Sequence, residues 1–206
     1  GYATKEFVNT LTAAGGALFD MGVYHISQLL YLTGIPELER VTGATYSEIA
    51  MNEKRRNESG FNVEELGTGF AHYKGGLTMD IIEAWAIHAK EFPSSIICGS
   101  HGGLTISPLT FHTREDEMEM DTTVNLDIMS FLDHTVYKDT ACYDSPQAHW
   151  VHVLLGRCTL LPTAKLALET QRVQEGVYLS HKLGREVTAA EIEKMSVSQA
   201  LEIPNL

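Results

Sequence analysis

The chain has 206 residues, 44% of them hydrophobic, and a formal net charge of −12 at pH 7. That length and composition permit a sizeable core in one or two domains, and the acidity argues against nucleic acid or an anionic membrane as partner, because neutralising phosphates takes clustered Lys and Arg. Lys54-Arg55-Arg56 lies between Glu53 and Glu58 and reads as a solvated turn. No apolar run approaches the ~18 residues of a membrane span, and the first residues do not read as a signal peptide. Cys98, Cys142 and Cys158 are odd in number, widely spaced and without C-x-x-C, the pattern of reduced thiols in a cytoplasmic protein.

The first element is a helix entered through Gly15-Gly16 and closed by Gly34 and Pro36. Helical spacing places Asp20 and Tyr24 one turn apart, with Ser27 and Tyr31 continuing that face. Phe19, Val23, Ile26 and Leu30 form a neighbouring apolar stripe and predict the core-facing side. Strand-like stretches follow at Glu39–Met51, Asn62–Tyr73 and Leu77–Ala89, the last two joined by a Lys74-Gly75-Gly76 turn. Ser94–Gly99 and Gly103–Ser107 predict a hairpin around His101-Gly102, and Glu117–Leu126 alternates with period two. Ser145-Pro146 supplies a cap and first-turn proline for a helix through Arg157. A longer helix runs from Thr163 to Gly184, and Thr188-Ala-Ala-Glu191 is a capping box. Consecutive strands with short turns predict an α+β fold: one largely antiparallel open sheet with helices on one face, a single domain over residues 1–206.

Among residues that carry chemistry, Asp20 and Tyr24 come first. Asp20 also suits a helix start, where it offsets partial positive charge, and Tyr24 also reads as a core tyrosine. His25, about 100° round the helix, competes for an acid–base role or is a buried, hydrogen-bonded histidine. His149 and His152, three apart on a helix, face either a substrate or, with a third ligand, a cation; no such ligand is recognisable, and no metal is expected. His101 and His112 read as turn or edge residues, and Trp85 and Trp150 as packing anchors. Gly67-Thr-Gly69 approaches a dinucleotide-binding fingerprint, but His72 stands where the third glycine belongs, so it reads as strand.

Ala14, Gly15, Gly16, Ala17, Leu18, Asp20, Gly22 and Tyr24 resemble the signature helix of the Gfo/Idh/MocA oxidoreductase family, roughly G-G-G-A-L-x-D-x-G-x-H/Y, with Ala14 in place of the first glycine. Ile97–Ile106 resembles the family's G-x-x-G hairpin, and Gln171–Val187 its last long helix and closing S-x-x-x-G-R-x-V. The resemblance implies the C-terminal, substrate-binding and oligomerisation domain of an NAD(P)-dependent sugar or polyol dehydrogenase. Neither the G-x-G-x-x-G nor the E-K-P segment of the family's N-terminal Rossmann domain occurs here, so the chain is expected to be half of such an enzyme and inactive alone. By the same resemblance Asp20 and Tyr24 are catalytic; His25, His149 and His152 are, from their helix positions, the candidate substrate contacts. Gly15 and Gly16 approach the cofactor, NAD or NADP, which the Rossmann domain mainly binds. A small-molecule sugar or polyol partner and a homo-oligomer formed through the open sheet face complete the expectation. The alternative is a non-catalytic sugar-binding or assembly module that kept the fold.

Overall fold

The computed structural model describes residues 4–89, 92–136 and 142–197, with side chains described through Leu132 in the segment that ends at 136. They fall into two compact units, residues 4–89 with 164–197 and residues 92–163.

The first unit opens with a 3-10 turn at Lys5–Phe7 and three short helices, α1 (Thr10–Ala13), α2 (Ala17–Asp20) and α3 (Gly22–Leu32). Then come β1 (Leu38–Tyr46), α4 (Glu53–Ser59), β2 (Leu66–Tyr73) and β3 (Thr78–Ala84). The unit resumes at residue 164 within α7 (Thr163–Leu183), followed by β8 (Val187–Thr188) and α8 (Ala189–Met195). The strands form an antiparallel sheet in the order β3-β2-β1-β8, with Val41 opposite Ala71 and Gly69 opposite Ile81. Gly75 and Gly76 close the β2–β3 turn at φ 90° and 92°, a region open to glycine at no steric cost. The strict alternation of β3 buries Met79, Ile81 and Glu83 on one face and exposes Thr78, Asp80 and Ile82. On the buried face Leu18, Ile26, Leu30, Val41, Ala71, Val173, Val177 and Ile192 form one core. Full burial of each of the larger aliphatic side chains contributes roughly 1.5–3 kcal/mol.

The helix predicted from Gly15 to Gly34 is broken at Met21, and its core stripe differs from the expected one. Leu18, Gly22, Ile26 and Leu30 are buried, while Val23 is 42% exposed. The buried row thus runs at a spacing of four from Leu18 and leaves the 23–24–25 corner outside. Lys54-Arg55-Arg56 lies within helix α4, capped by Asn52, and not in a turn.

The second unit contains β4 (Ile96–Cys98), β5 (Gly103–Thr105), β6 (Thr110–Glu115), β7 (Met118–Thr123), α5 (Leu126–Val136) and α6 (Pro146–Leu154). Its four strands form a separate antiparallel meander in sequence order. The α+β class and the antiparallel strand pattern are as expected; among the described residues the strands form two sheets, one in each unit. Among the described residues, no helix is long and apolar enough to cross a membrane.

Candidate active site

The signature turn is held by its own chain at both ends of α2. The Glu64 carboxylate accepts from the Gly16 N–H at 2.9 Å and the Leu18 N–H at 3.0 Å, and the Glu64 carbonyl accepts from Ala17 N–H at 3.1 Å. These are the donors a helix start leaves unpaired. Tyr178 on α7 donates its hydroxyl to the same carboxylate at 2.6 Å and stacks on Phe19. Burial, and then the Glu64 charge, push the Tyr178 hydroxyl far above its ordinary pKa, so it stays a donor. At the other end the Gln174 amide donates to the Leu18 carbonyl at 2.8 Å and to that of Phe19 at 3.3 Å.

This frame explains the paired glycines differently from the expectation. A Cβ on Gly16 would lie 2.0 Å from the Glu64 carbonyl oxygen, and one on Gly15 would lie 2.1 Å from the Phe19 ring and 2.3 Å from the Tyr178 hydroxyl. The space is filled by protein, and the N–H groups of Gly16, Ala17 and Leu18 are taken by Glu64. Gly15 and Gly16 therefore do not form an open cradle, and this turn does not fit the phosphates of a dinucleotide.

Strand β3 and the residue after it position two of the predicted side chains. Glu83 and Trp85 are two apart and project to the same face. Trp85 donates its indole N–H to Asp20 Oδ2 at 2.7 Å, and Glu83 receives His25 Nδ1 at 2.9 Å. Trp85 is thus more than a packing anchor: it orients the signature carboxylate. Glu83 is 6% exposed, whereas 46% of the His25 side-chain surface faces solvent. Burial raises the Glu83 pKa, and the hydrogen bond and charge of His25 oppose that rise. His25 is thus half in solvent and half tethered, not buried. Tyr24 is 66% exposed, so it is not a core tyrosine. The structure brings Asp20, Tyr24 and His25 to one corner of the unit without a hydrogen bond between Asp20 and Tyr24: Asp20 is taken by Trp85, and the Tyr24 N–H donates to the Met21 carbonyl at 3.1 Å.

His149 and His152 belong to the second unit. His149 is 8% exposed, and the Leu161 N–H donates to its Nε2 at 3.1 Å. That fixes the proton on Nδ1, which donates to the Cys142 carbonyl at 3.1 Å. With both nitrogens engaged and Tyr143 stacked on the ring, His149 ties α6 to its flanking loops and offers no ring nitrogen to a substrate. His152 is half-buried, and Trp150 is 60% exposed and so not a packing anchor. His112, expected at a turn or edge, sits within β6 and bridges Asp121 on β7 and Thr105 on β5, at 2.7 Å to each. Although Thr, His and Asp stand in hydroxyl–imidazole–carboxylate order, Asp121 has 73% of its side-chain surface in water. The row is a cross-strand ladder on an open sheet. In the first unit, a cleft of about 500 Å³ is lined by Ile35, Glu37, Lys165, Glu169, Arg172 and Glu193. Its guanidinium is already paired with Glu169 at 2.8 Å and with Glu193. Neither place rivals the α2–α3 corner.

Residues 2–105 match the family model for the GFO/IDH/MocA C-terminal domain. The chain belongs to the Gfo/Idh/MocA family. Its fold is similar to that of aldose-aldose oxidoreductase from Caulobacter crescentus, solved with glycerol, at a TM-score of 0.58 and 19% identity over 88% of this chain and 50% of that one. It is also similar to an oxidoreductase domain protein from Kribbella flavida, at a TM-score of 0.66 and 17% identity over 88% and 53%. Levoglucosan dehydrogenase, solved with NADH and levoglucosan, gives 0.63 and 12% identity over 90% and 53%. The chain spans about half the length of these structures. No curated protein matches it.

Sequence reasoning missed Glu64, Gln174, Tyr178 and Glu83, the four residues that hold the signature turn and His25. Only Glu83 carried a signal: it occupies an inward position in the row Met79, Ile81, Glu83. A carboxylate in a buried row needs a partner.

Proposed function

We propose that this chain supplies the substrate side of a nicotinamide-dependent dehydrogenase acting on a sugar or polyol carbinol. The observation that carries the reading is the α2–α3 corner, where a rigid frame inside the chain presents an oriented Asp20 carboxylate, an exposed Tyr24 phenol and a tethered His25 imidazole. Family membership and the sugar oxidoreductases among its structural relatives support it. Oxidising a carbinol to a carbonyl removes a hydride from carbon and a proton from oxygen, and the chain's own residues deal with the proton. Asp20 accepts a hydrogen bond from a substrate hydroxyl, its other oxygen being held by Trp85, and Tyr24 hydrogen-bonds the reacting oxygen. NAD or NADP would be held by residues other than Gly15 and Gly16. A homo-oligomer through the exposed face of the β3-β2-β1-β8 sheet, which carries Ile82 at 54% exposure, belongs to the same proposal, and sedimentation as a monomer would remove it.

The test is turnover of the complete protein with NAD or NADP and a panel of aldoses and polyols. Tyr24→Phe is expected to lower kcat by about 10²-fold. Unchanged turnover would remove Tyr24 from the chemistry, and saturable sugar binding without any turnover would favour the non-catalytic binding module instead.

A further inference from the structure

We infer that Cys142 and Cys158 form a dithiol redox site, which a small disulfide of the glutathione type converts into an intramolecular bond across helix α6. The 3 cysteines of the chain are all thiols in the structure, but their surroundings differ. Cys98 is exposed on β4, whereas Cys142 is buried and Cys158 half-buried, and the last two both meet the His149 ring. The pair belongs to the second unit and stands independently of the dehydrogenase reading.

The two cysteines flank α6, which Ser145 caps at its start, and Gly156 turns the chain beyond its end at φ 69°. His149, within the helix, ties the flanking segments together: its Nδ1–H donates to the Cys142 carbonyl and its Nε2 accepts from the Leu161 N–H, each at 3.1 Å. Cys158 Sγ lies 3.7 Å from the same Nδ1, and the Cys158 thiol is hydrogen-bonded with the Cys142 thiol. One ring thus holds both ends of the segment, and the fold has already met most of the loop-closure cost that joining two cysteines imposes on an unfolded chain. The pair is not half of a metal site: His149 spends both ring nitrogens within the protein, and among the described residues no three His, Cys, Asp or Glu side chains are placed to hold a metal ion. The difference in burial orders the steps. Cys158 gives its proton to solvent and its thiolate attacks one sulfur of glutathione disulfide; that S–S bond breaks and one glutathione thiolate leaves. Cys142 then loses its proton and attacks Cys158 Sγ, the mixed disulfide breaks, and the second glutathione leaves. Two cysteine thiols are oxidised, one small disulfide is reduced to two thiols, and the two protons end on the glutathiones. Burial, and then the Cys142 thiol, hold the Cys158 thiol above its ordinary pKa, so the exchange runs faster in mildly alkaline buffer.

The test uses the 206-residue chain with Cys98→Ser, which removes the exposed thiol. The chain is equilibrated with reduced and oxidised glutathione at mildly alkaline pH, approached from both the reduced and the oxidised side, then quenched in acid and read by intact mass and peptide mapping. The expected product has lost two hydrogens, carries no glutathione and joins the peptides of Cys142 and Cys158. For a closed loop of about 15 residues, chain entropy makes the oxidation constant about 10²-fold larger for a pair already held together than for the chain unfolded in concentrated urea. With Cys142→Ser added, the reaction is expected to stop at a glutathione adduct on Cys158. Separate adducts on the two cysteines of the folded chain, no reaction at either, or an oxidation constant no larger in buffer than in urea overturns the site.

Discussion

Replacing Glu64 by Leu tests whether one buried carboxylate holds the signature turn. Glu64 is 6% exposed and its carboxylate receives the N–H groups of Gly16 and Leu18 and the Tyr178 hydroxyl. Leucine fills most of the volume but leaves three donors unmatched. A stranded buried donor costs about 1–3 kcal/mol, so a loss of about 4 kcal/mol or more is expected after partial relaxation. At roughly 2–4 °C per kcal/mol for a chain of this length, Tm falls by about 8–16 °C. Glu64→Gln separates charge from connectivity. One oxygen receives all three donors and the other shares only Gly16, so glutamine keeps most of the network and loses about 1–2 kcal/mol. Urea unfolding followed by Trp85 fluorescence, in a Trp150→Phe background, reads the first unit alone. A Glu64→Leu chain within about 1 kcal/mol of the parent would refute the reasoning, because stranded donors of this kind exceed that figure.

Three further outcomes are expected. Glu65 is 1% exposed, both its oxygens lack hydrogen-bond partners, and Arg56 Nη2 is 3.8 Å away, near enough for attraction only. Burial raises its pKa above 4.5, so its folded-state stability is complete below that value and declines as pH rises through the raised one. Glu65→Gln should gain about 1 kcal/mol at pH 8 and nothing at pH 4 by urea titration, and equal gains at both would contradict it. Glu191 is drawn down to about 2 by hydrogen bonds from Arg185 and then Thr188. Its stabilising effect is present above 4.5 and fades as pH falls toward 2, and carboxyl NMR should show Arg185→Gln moving its titration up toward 4.5. Gly176→Ala would ordinarily stabilise a helix, but its Cβ would meet Val41 Cβ at 2.8 Å and Ile192 Cδ1 at 2.9 Å. Thermal unfolding should show a net loss of about 1–3 kcal/mol, and a raised Tm would show that the α7–β1 contact yields.

Much of the architecture was legible because its signals are local. The Lys74-Gly75-Gly76 turn, the Ser145-Pro146 start of α6, the Thr188–Glu191 capping box and the alternation of β3 depend on residues a few positions apart. The signature turn was legible as a pattern, and family membership followed from it. The helix break at Met21 was not, since helical spacing continues through it and only the packing of Leu18 against β2 and of Gly22 against Gln174 shifts the buried row. Strand β6 and helices α4 and α5 were missed for a related reason: β6 is mostly exposed, α4 is polar throughout, and much of the apolar surface of α5 is exposed, so none shows a buried stripe.

What the sequence alone determined is therefore the kind of chain this is: an acidic α+β member of its family whose signature stretch carries Asp20, Tyr24 and His25. What only the tertiary structure decided is how that corner is held. Gly16 meets Glu64 across 48 positions, His25 meets Glu83 across 58, and Gln174 meets Leu18 across 156. Contacts of that separation leave no periodicity in the chain, because they are set by which strand lies beside which and by how closely two backbones approach. The same packing fills the space beside Gly15 and Gly16 with Glu64, Phe19 and Tyr178, since the space a glycine leaves belongs to whichever neighbour reaches it.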